Sequence, residues 1–355
     1  MDIQQLLNIV IQYGASDLHL MVGVPPMLRS NGVLMPVASA AVLTPNTVSE
    51  LVNSLLSDSQ RELVSVDKEL DFSYSITNGE RFRVNVYHEK GNLAAALRLI
   101  PRTIRTIEDL MLPSLIGNLT TLKQGLVLVT GPTGHGKSTT LAAMIDKINR
   151  ERAVHIITIE DPVEFVYTPS KSIISQREMH ADTHAWGIAL KSVLREDPDV
   201  VLIGEMRDYE TIEAALMIAE TGHLVFATLH TNSASSTVDR IVDVFPEDQQ
   251  AQVRSQLAGS LEAVISQRLV PSTDGRRTAI VEILLATSAV RSNIRDGKTY
   301  MLPNVMQTSG EMGMKTLEMA LAEAYLSKRI SIETARDFAL NYEDLARLIS
   351  RGKMS

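Results

Sequence analysis

The rhythm of apolar and polar positions changes once along this chain. Over residues 1–100 it mixes short helical and strand-like stretches. In "DIQQLLNIVIQYG" apolar residues recur at helical spacing until Gly14, which predicts a helix. "SDLHLMV" alternates as a strand does, and "GVPPMLRSNGVLMPV" reads as a turn, a strand, the hairpin pair Asn31-Gly32 and a second strand. "TPNTVSELVNSLLS" opens with a capping pattern and predicts another helix. Three strands are expected in "ELDFSYSITNGERFRVNVYHEKGNLAAALRLIP", joined at Asn78-Gly79 and at Gly91-Asn92 and ended by Pro101. Residues 1–100 are therefore expected to form a small α+β domain, and residues 101–111 a connector.

From about Leu112 the pattern becomes an alternation of apolar runs and helices: "GLVLVT", a helix after Lys137, "VHIITIE", a helix near 183–195, "VVLIG", a helix over 208–221, then "HLVFATLH". That order predicts an α/β fold with a mostly parallel sheet over residues 112–355. From about Val244 the chain reads as mostly helical, interrupted by one strand pair near "RRTAIVEILLAT".

Composition adds exclusions. The 355 residues are 45% hydrophobic and 21% charged, as in an ordinary globular chain of two domains. A net charge of −8 and the lack of a basic run interleaved with aromatics point away from nucleic acid. There is no cysteine, so no disulfide framework or thiolate metal site is expected. "MDIQQLLNIV" lacks the basic leader of a signal peptide, and no apolar run reaches the length of about 18 residues that a membrane span needs.

The chemistry is concentrated after the change of rhythm. "GPTGHGKSTT" contains G-x-x-x-x-G-K-[ST] at Gly131, Gly136, Lys137 and Ser138, between an apolar strand and an amphipathic helix. Glycines let backbone N–H groups approach phosphates, Lys137 supplies a point charge and Ser138 a hydroxyl for Mg²⁺. The helix that follows aims its positive end at the anion. His135 stands at a free position of this pattern and is expected to be a tolerated side chain. The strand "VHIITIE" ends in Glu160-Asp161-Pro162-Val163-Glu164, and "VVLIG" runs into Glu205 where a generic phosphate-loop protein places a metal-binding Asp. Acids at the carboxyl ends of parallel strands face the ligand crevice. Glu205 can act as general base or orient the attacking water, or it can simply pair with Arg207 on the surface. His223 and His230 flank the next strand, with His230 at the position of a γ-phosphate sensor.

Four blocks, "GPTGHGKSTT", "TIEDPVEF", "LREDPDVVLIGEMRDYETIEAAL" and "AETGHLVFATLHTNSA", together resemble the Walker A, Asp-box, Walker B and His-box motifs of the secretion ATPases that drive type II secretion and type IV pili, and most of all their pilus-retraction branch. The resemblance runs nearly end to end. It implies a PAS-like N-terminal domain, matched by "GASDLHL", "GVPPMLRSNG" and "RFRVNVY", ahead of a RecA-like ATPase core with a helical C-terminal region. It also implies ATP and Mg²⁺ held by Gly131, Thr133, Gly134, Gly136, Lys137, Ser138 and Thr139. Glu205 becomes the catalytic acid, Glu164 assists the water at the metal and His230 senses the nucleotide. Arg81, Arg83 and Arg98 are candidates for arginines that reach the ATP of an adjacent subunit in a homohexamer. The implied partners are an inner-membrane pilus platform protein and a paralogous retraction ATPase, with the machine at the cytoplasmic face of that membrane. An ATP-gated scaffold without turnover is disfavoured, since it would need only the binding loop. Pilus-assembly and type II secretion ATPases share the four blocks. They often carry a four-cysteine zinc module, for which this chain has no cysteines; a specialised secretion-system ATPase of the retraction-like branch stays open as an alternative. One block departs from the retraction branch, whose C-terminal motif is close to A-I-R-N-L-I-R-E-G-K: here it reads "AVRSNIRDGK", with polar Asn293 in place of an apolar residue.

Overall fold

A computed structural model describes residues 1–30, 32–76 and 79–352, which divide into two compact units. The first comprises Met1–Thr103 together with Pro162–Val166; the second comprises Ile104–Asp161 and Tyr167–Ser355.

The first unit is an antiparallel sheet of six strands in the order β3-β2-β1-β6-β5-β4. The strands are β1 (Asp17–Leu20), β2 (Met27–Ser30), β3 (Val33–Pro36), β4 (Glu69–Ser75), β5 (Arg81–Glu89) and β6 (Asn92–Ile100). Helices α1 (Ile3–Gln12), α2 (Pro45–Asn53) and α3 (Asp58–Asp67) start on Asp2, Thr44 and Ser57, each closing a reciprocal capping box. One sheet face carries Leu18, Leu20, Phe82, Val84, Val86 and Leu97, all buried with Leu6, Leu7, Val10, Val48 and Val52 of the helices. The alternation in "RFRVNVY" therefore does what its period dictates, sending Phe82, Val84 and Val86 inward and Arg81 and Arg83 to the opposite face. Helix α3 was not anticipated, because its mostly polar sequence buries only Val64. Of the expected hairpin pairs, Asn31 and Asn78 lie outside the described residues. The third turn falls one residue earlier than expected. Glu89 pairs with Asn92, and Lys90 and Gly91 between them both take positive φ, as a type I′ hairpin loop requires.

The second unit is a mixed sheet of seven strands in the order β13-β12-β7-β11-β10-β8-β9. These are β7 (Gly125–Thr130), β8 (His155–Glu160), β9 (Ile173–Glu178), β10 (Val200–Ile203), β11 (Leu224–Leu229), β12 (Leu261–Pro271) and β13 (Arg277–Leu285). All neighbours are parallel except β12 and β13. The helices are α4 (Ser114–Leu119), α5 (Lys137–Glu151), α6 (Trp186–Val193), α7 (Tyr209–Glu220), α8 (Ala234–Asp243), α9 (Glu247–Ser260), α10 (Ser288–Arg295), α11 (Leu302–Thr308), α12 (Leu317–Leu326), α13 (Ile332–Phe338) and α14 (Tyr342–Gly352). Strands β7, β10 and β11 are buried along their whole length, which is why they read as unbroken apolar runs.

Two departures from the sequence reading matter. The strand pair in the helical C-terminal region belongs to the central sheet, and its first member is "LEAVISQRLVP", beside β7. Its residues Ala263 to Gln267 are buried whichever face they are on, so no alternation of apolar and polar positions marks it as a strand. The edge strand β9 was also unexpected, since "IISQRE" is half polar. Among the described residues no helix is long and apolar enough to cross a membrane.

Candidate nucleotide site

In the second unit the carboxyl ends of β7, β11, β10 and β8 lie side by side, and the candidate residues gather at the first three. Thr130 ends β7, and the chain turns through Gly131, Gly134 and Gly136, all at positive φ, into α5. Gly131 is required twice over: its φ is 138°, and a Cβ there would stand 2.2 Å from the carbonyl oxygen of Gln267. Gly136 occupies the N-cap of α5, and no side chain caps that helix. Its first-turn N–H groups, and the positive end of its dipole, are therefore directed at the loop. Lys137, the first helical residue, is 8% exposed. Its Nζ donates to the carbonyls of Gly131 at 2.9 Å and Pro132 at 3.1 Å. The ammonium thus already lies inside the curl of the loop.

Glu205 follows β10 after Gly204. A Cβ on Gly204 would stand 3.2 Å from both Glu160 Cα and the Ile159 carbonyl oxygen, so the crowding against β8 favours glycine. Thr228 of β11 fixes this bend, donating from Oγ1 to Gly204 O at 2.6 Å and accepting from Met206 N at 3.0 Å. The carboxylate is then held between two partners. Arg207 forks onto it, Nε to Oε1 and Nη2 to Oε2, both at 2.8 Å. His230, just past β11, places Nε2 3.0 Å from the same Oε1. The other ring nitrogen, Nδ1, lies 3.3 Å from Thr133 Oγ1 and 3.5 Å from Lys137 Nζ. Lys137, His230 and Glu205 therefore form one hydrogen-bonded series from the phosphate loop to the acid. Arg207, which the sequence offered only as a surface partner of Glu205, is part of that series.

Burial pushes the Glu205 carboxyl upward. The hydrogen bond from Arg207 and the positive charges of His230, Arg207 and Lys137 more than offset this and hold it below the usual carboxylate range. Removing Arg207 takes away the largest opposing contribution and leaves burial in place. Arg207→Ala is thus expected to raise the Glu205 pKa, so the acid limb of the kcat/KM profile moves to higher pH. The loss at neutral pH should stay under about tenfold, because the guanidinium is largely solvated. A pH profile unchanged from wild type would separate Glu205 ionisation from the Arg207 contact.

Glu164 lies in Pro162–Val166, which groups with the first unit. Arg81, Arg83 and Arg98 stand on the polar face of the first unit's sheet. Arg83 is paired with Arg98 across β5 and β6, and Arg98 with Asp17 across β6 and β1. Asp17, 6% exposed, accepts from Arg98 Nε at 2.8 Å, and Asp71 lies 3.4 Å from Arg83 Nη2. His223 precedes β11, at the end of the strand away from His230, and its Nδ1 contacts Thr221 Oγ1 at 3.0 Å and Ile218 O at 3.1 Å. It is a structural histidine. Gln267 was missed, since it sits in the polar stretch Ser266-Gln267-Arg268 and nothing local marks it as buried. It is 2% exposed, accepts from Thr140 Oγ1 at 2.7 Å and donates to His135 O at 2.8 Å. The polar change at Asn293 leaves α10 packed through Val290 and Ile294. Arg291 ties that helix down through Ala258 O at 2.7 Å and Glu262 at 2.7 Å.

A bare helix end, an ammonium curled into its loop, and an acceptor linked to both through an imidazole suit a substrate that is polyanionic at one end and cleaved by water. The class these features define is a nucleotide-binding ATPase. Residues 1–329 match the family described as type II/IV secretion system protein. The chain is 47% identical to the type IV pilus retraction ATPase PilT of Pseudomonas aeruginosa over 339 residues, 96% of this chain and 98% of the relative. It is 40% identical to the type IV pilus ATPase PilU of the same organism over 356 residues, 100% of this chain and 93% of the relative. A crystal structure of the pilus retraction motor PilT with bound ADP superposes with a TM-score of 0.92 at 44% identity, covering 98% of this chain and 99% of that one. The chain belongs to the type II/IV secretion system protein family and is an ATPase of it.

Proposed function

We propose that this ATPase is a type IV pilus retraction motor, hydrolysing ATP to withdraw pilin subunits and so drive twitching motility. The observation that carries the catalytic half is the unbroken series Lys137–His230–Glu205. The motor half rests on full-length similarity to a retraction ATPase.

The chemistry follows from the residues. The N–H groups of the loop from Gly131 to Gly136, and of Lys137, Ser138 and Thr139 at the start of α5, take the phosphate oxygens. Lys137 exchanges its two carbonyl partners for the β/γ-phosphates. Thr133 supplies a hydroxyl beside His230. Water attacks the γ-phosphorus as the bond to the ADP oxygen breaks, and Glu205 orients that water and accepts its proton. Because the carboxylate is held below its usual range, it serves better as a fixed acceptor than as a strong base. His230 links the γ-phosphate end of the loop to Glu205 and so reports whether the phosphate is present.

The residues fit Mg²⁺. Among the described residues no group of three His, Asp or Glu side chains could hold a metal. None is required, because Mg²⁺ keeps several waters and would take the Ser138 hydroxyl alongside the phosphates of the nucleotide. Bound there, it would neutralise phosphate charge. Glu164 is proposed as a second acid acting through water. In a homohexamer, Arg81, Arg83 and Arg98 are the proposed source of the guanidinium that stabilises the spread charge on a neighbour's ATP. An inner-membrane platform protein would receive the motion, at the cytoplasmic face, with a second retraction ATPase as a further partner.

The test is complementation. The gene is deleted in its host and restored as wild type or Glu205→Gln, and surface pili and twitching are scored. Retraction predicts excess immobile pili in the deletion and in the variant. Loss of pili would assign assembly instead, and an absence of any pilus phenotype would assign another secretion system.

A further inference from the structure

Strand β12 is longer than the strand it runs beside. Its parallel pairing with β7 ends where Ser266 meets Thr130, because the chain then turns away at Gly131. On its other side β12 continues to Pro271, paired with β13. From Gln267 onward the edge left by β7 is covered by the phosphate loop. Gly131 packs on the Gln267 carbonyl, and the Gln267 side chain bridges His135 O and Thr140 Oγ1. One contact in this set comes from a side chain of the loop itself: the N–H of Leu269 donates to His135 Nδ1 at 3.0 Å.

A ring nitrogen that accepts carries no proton, so this bond selects the neutral imidazole with its hydrogen on Nε2. Protonation would set two N–H groups against each other. The charged groups that face the ring are all cationic, namely Lys137 on α5, Arg268 on β12 and Arg277 on β13. Burial first, and then these charges, hold the ring below its ordinary value. Protons bind the unfolded chain first, so the stability that His135 contributes is present above about pH 6.5 and declines as the pH falls below it.

We infer that His135 is a positioning residue for nucleotide binding, whose neutral imidazole clasps the phosphate loop to the overhanging edge of β12 and releases it on protonation. The clasp matters because a phosphate loop binds through backbone N–H groups, which are useful only while their directions are fixed. This inference rests on nucleotide binding at the loop, so the test has one readout that needs no nucleotide.

Hydrogen-exchange protection of the Leu269 amide and the Kd for ADP are measured on the full chain between about pH 5 and pH 8, the range in which an imidazole titrates. Wild type is compared with His135→Asn, whose Oδ1 has the same reach as Nδ1 but does not titrate, and with His135→Leu, which has no acceptor. The expected wild-type result is a protected amide at the upper pH that loses protection on acidification. ADP affinity should fall about fivefold relative to His135→Asn over the same range, as loss of one net hydrogen bond implies. His135→Leu should be unprotected and weak-binding throughout; if it does not fold, the comparison with His135→Asn decides alone. Parallel pH courses for wild type and His135→Asn would overturn the inference. So would a Leu269 amide that responds to His135 while ADP affinity does not. If wild type bound no ADP at any pH, the nucleotide reading itself would fall, and the Leu269 amide would still report the contact.

Discussion

Glu205→Gln is expected to lower kcat for ATP hydrolysis by on the order of 10²- to 10⁴-fold while nucleotide binding is retained. The carboxylate is acceptor-only, and both oxygens are in use: Oε1 takes Arg207 Nε and lies 3.0 Å from His230 Nε2, and Oε2 takes Arg207 Nη2. Glutamine keeps the shape but turns one of those oxygens into an N–H₂ group facing a guanidinium that can only donate. It also removes the negative charge that orients the attacking water and takes its proton. Glu205 is linked to the phosphate loop through His230, so the loss should fall on turnover and leave binding intact. Steady-state ATPase assays paired with fluorescent-nucleotide titration separate the two. Hydrolysis within about threefold of wild type would remove Glu205 from the catalytic role.

Lys137→Ala should fail one step earlier. The ammonium is 8% exposed and donates to Gly131 O and Pro132 O, so it lies inside the curl of the loop. Its removal deletes the positive charge that the β/γ-phosphates require. It also leaves two loop carbonyls without that donor and takes away the group 3.5 Å from His230 Nδ1. ATP affinity should drop at least about tenfold and hydrolysis by on the order of 10²- to 10³-fold, the range found when a fixed donor to a developing charge is lost. Circular dichroism checks that the fold survives. Tight ATP binding by the folded variant would mean that the phosphates sit somewhere other than this loop.

The phosphate loop was legible because its constraints are local. Three glycines, a lysine and a serine at fixed spacing, between an apolar run and a helix, leave few other solutions. Glu205 and His230 were legible for a related reason: each follows a short, wholly buried strand of a parallel sheet, and the ends of such strands face the ligand. The inward Phe82, Val84 and Val86 with outward Arg81 and Arg83 were legible from alternation alone. Strand β12 was not, because burial on both sides erases the period, and Gln267 and the β12 edge were lost with it.

What the sequence by itself determined, then, is the inventory of chemical groups and the elements that carry them. Hydrophobic period and glycine geometry act over a few residues and can be read in order along the chain. What only the tertiary structure decided is pairing. Arg207 joins Glu205 because Gly204 and Thr228 bend the chain there. His230 meets both Thr133 and Glu205 because β11 lies between β7 and β10. His135, at a position the motif leaves free, takes the Leu269 N–H because β12 outruns β7. These partners are separated by up to 134 residues, and a contact across that span depends on strand order and strand length, which no local pattern encodes.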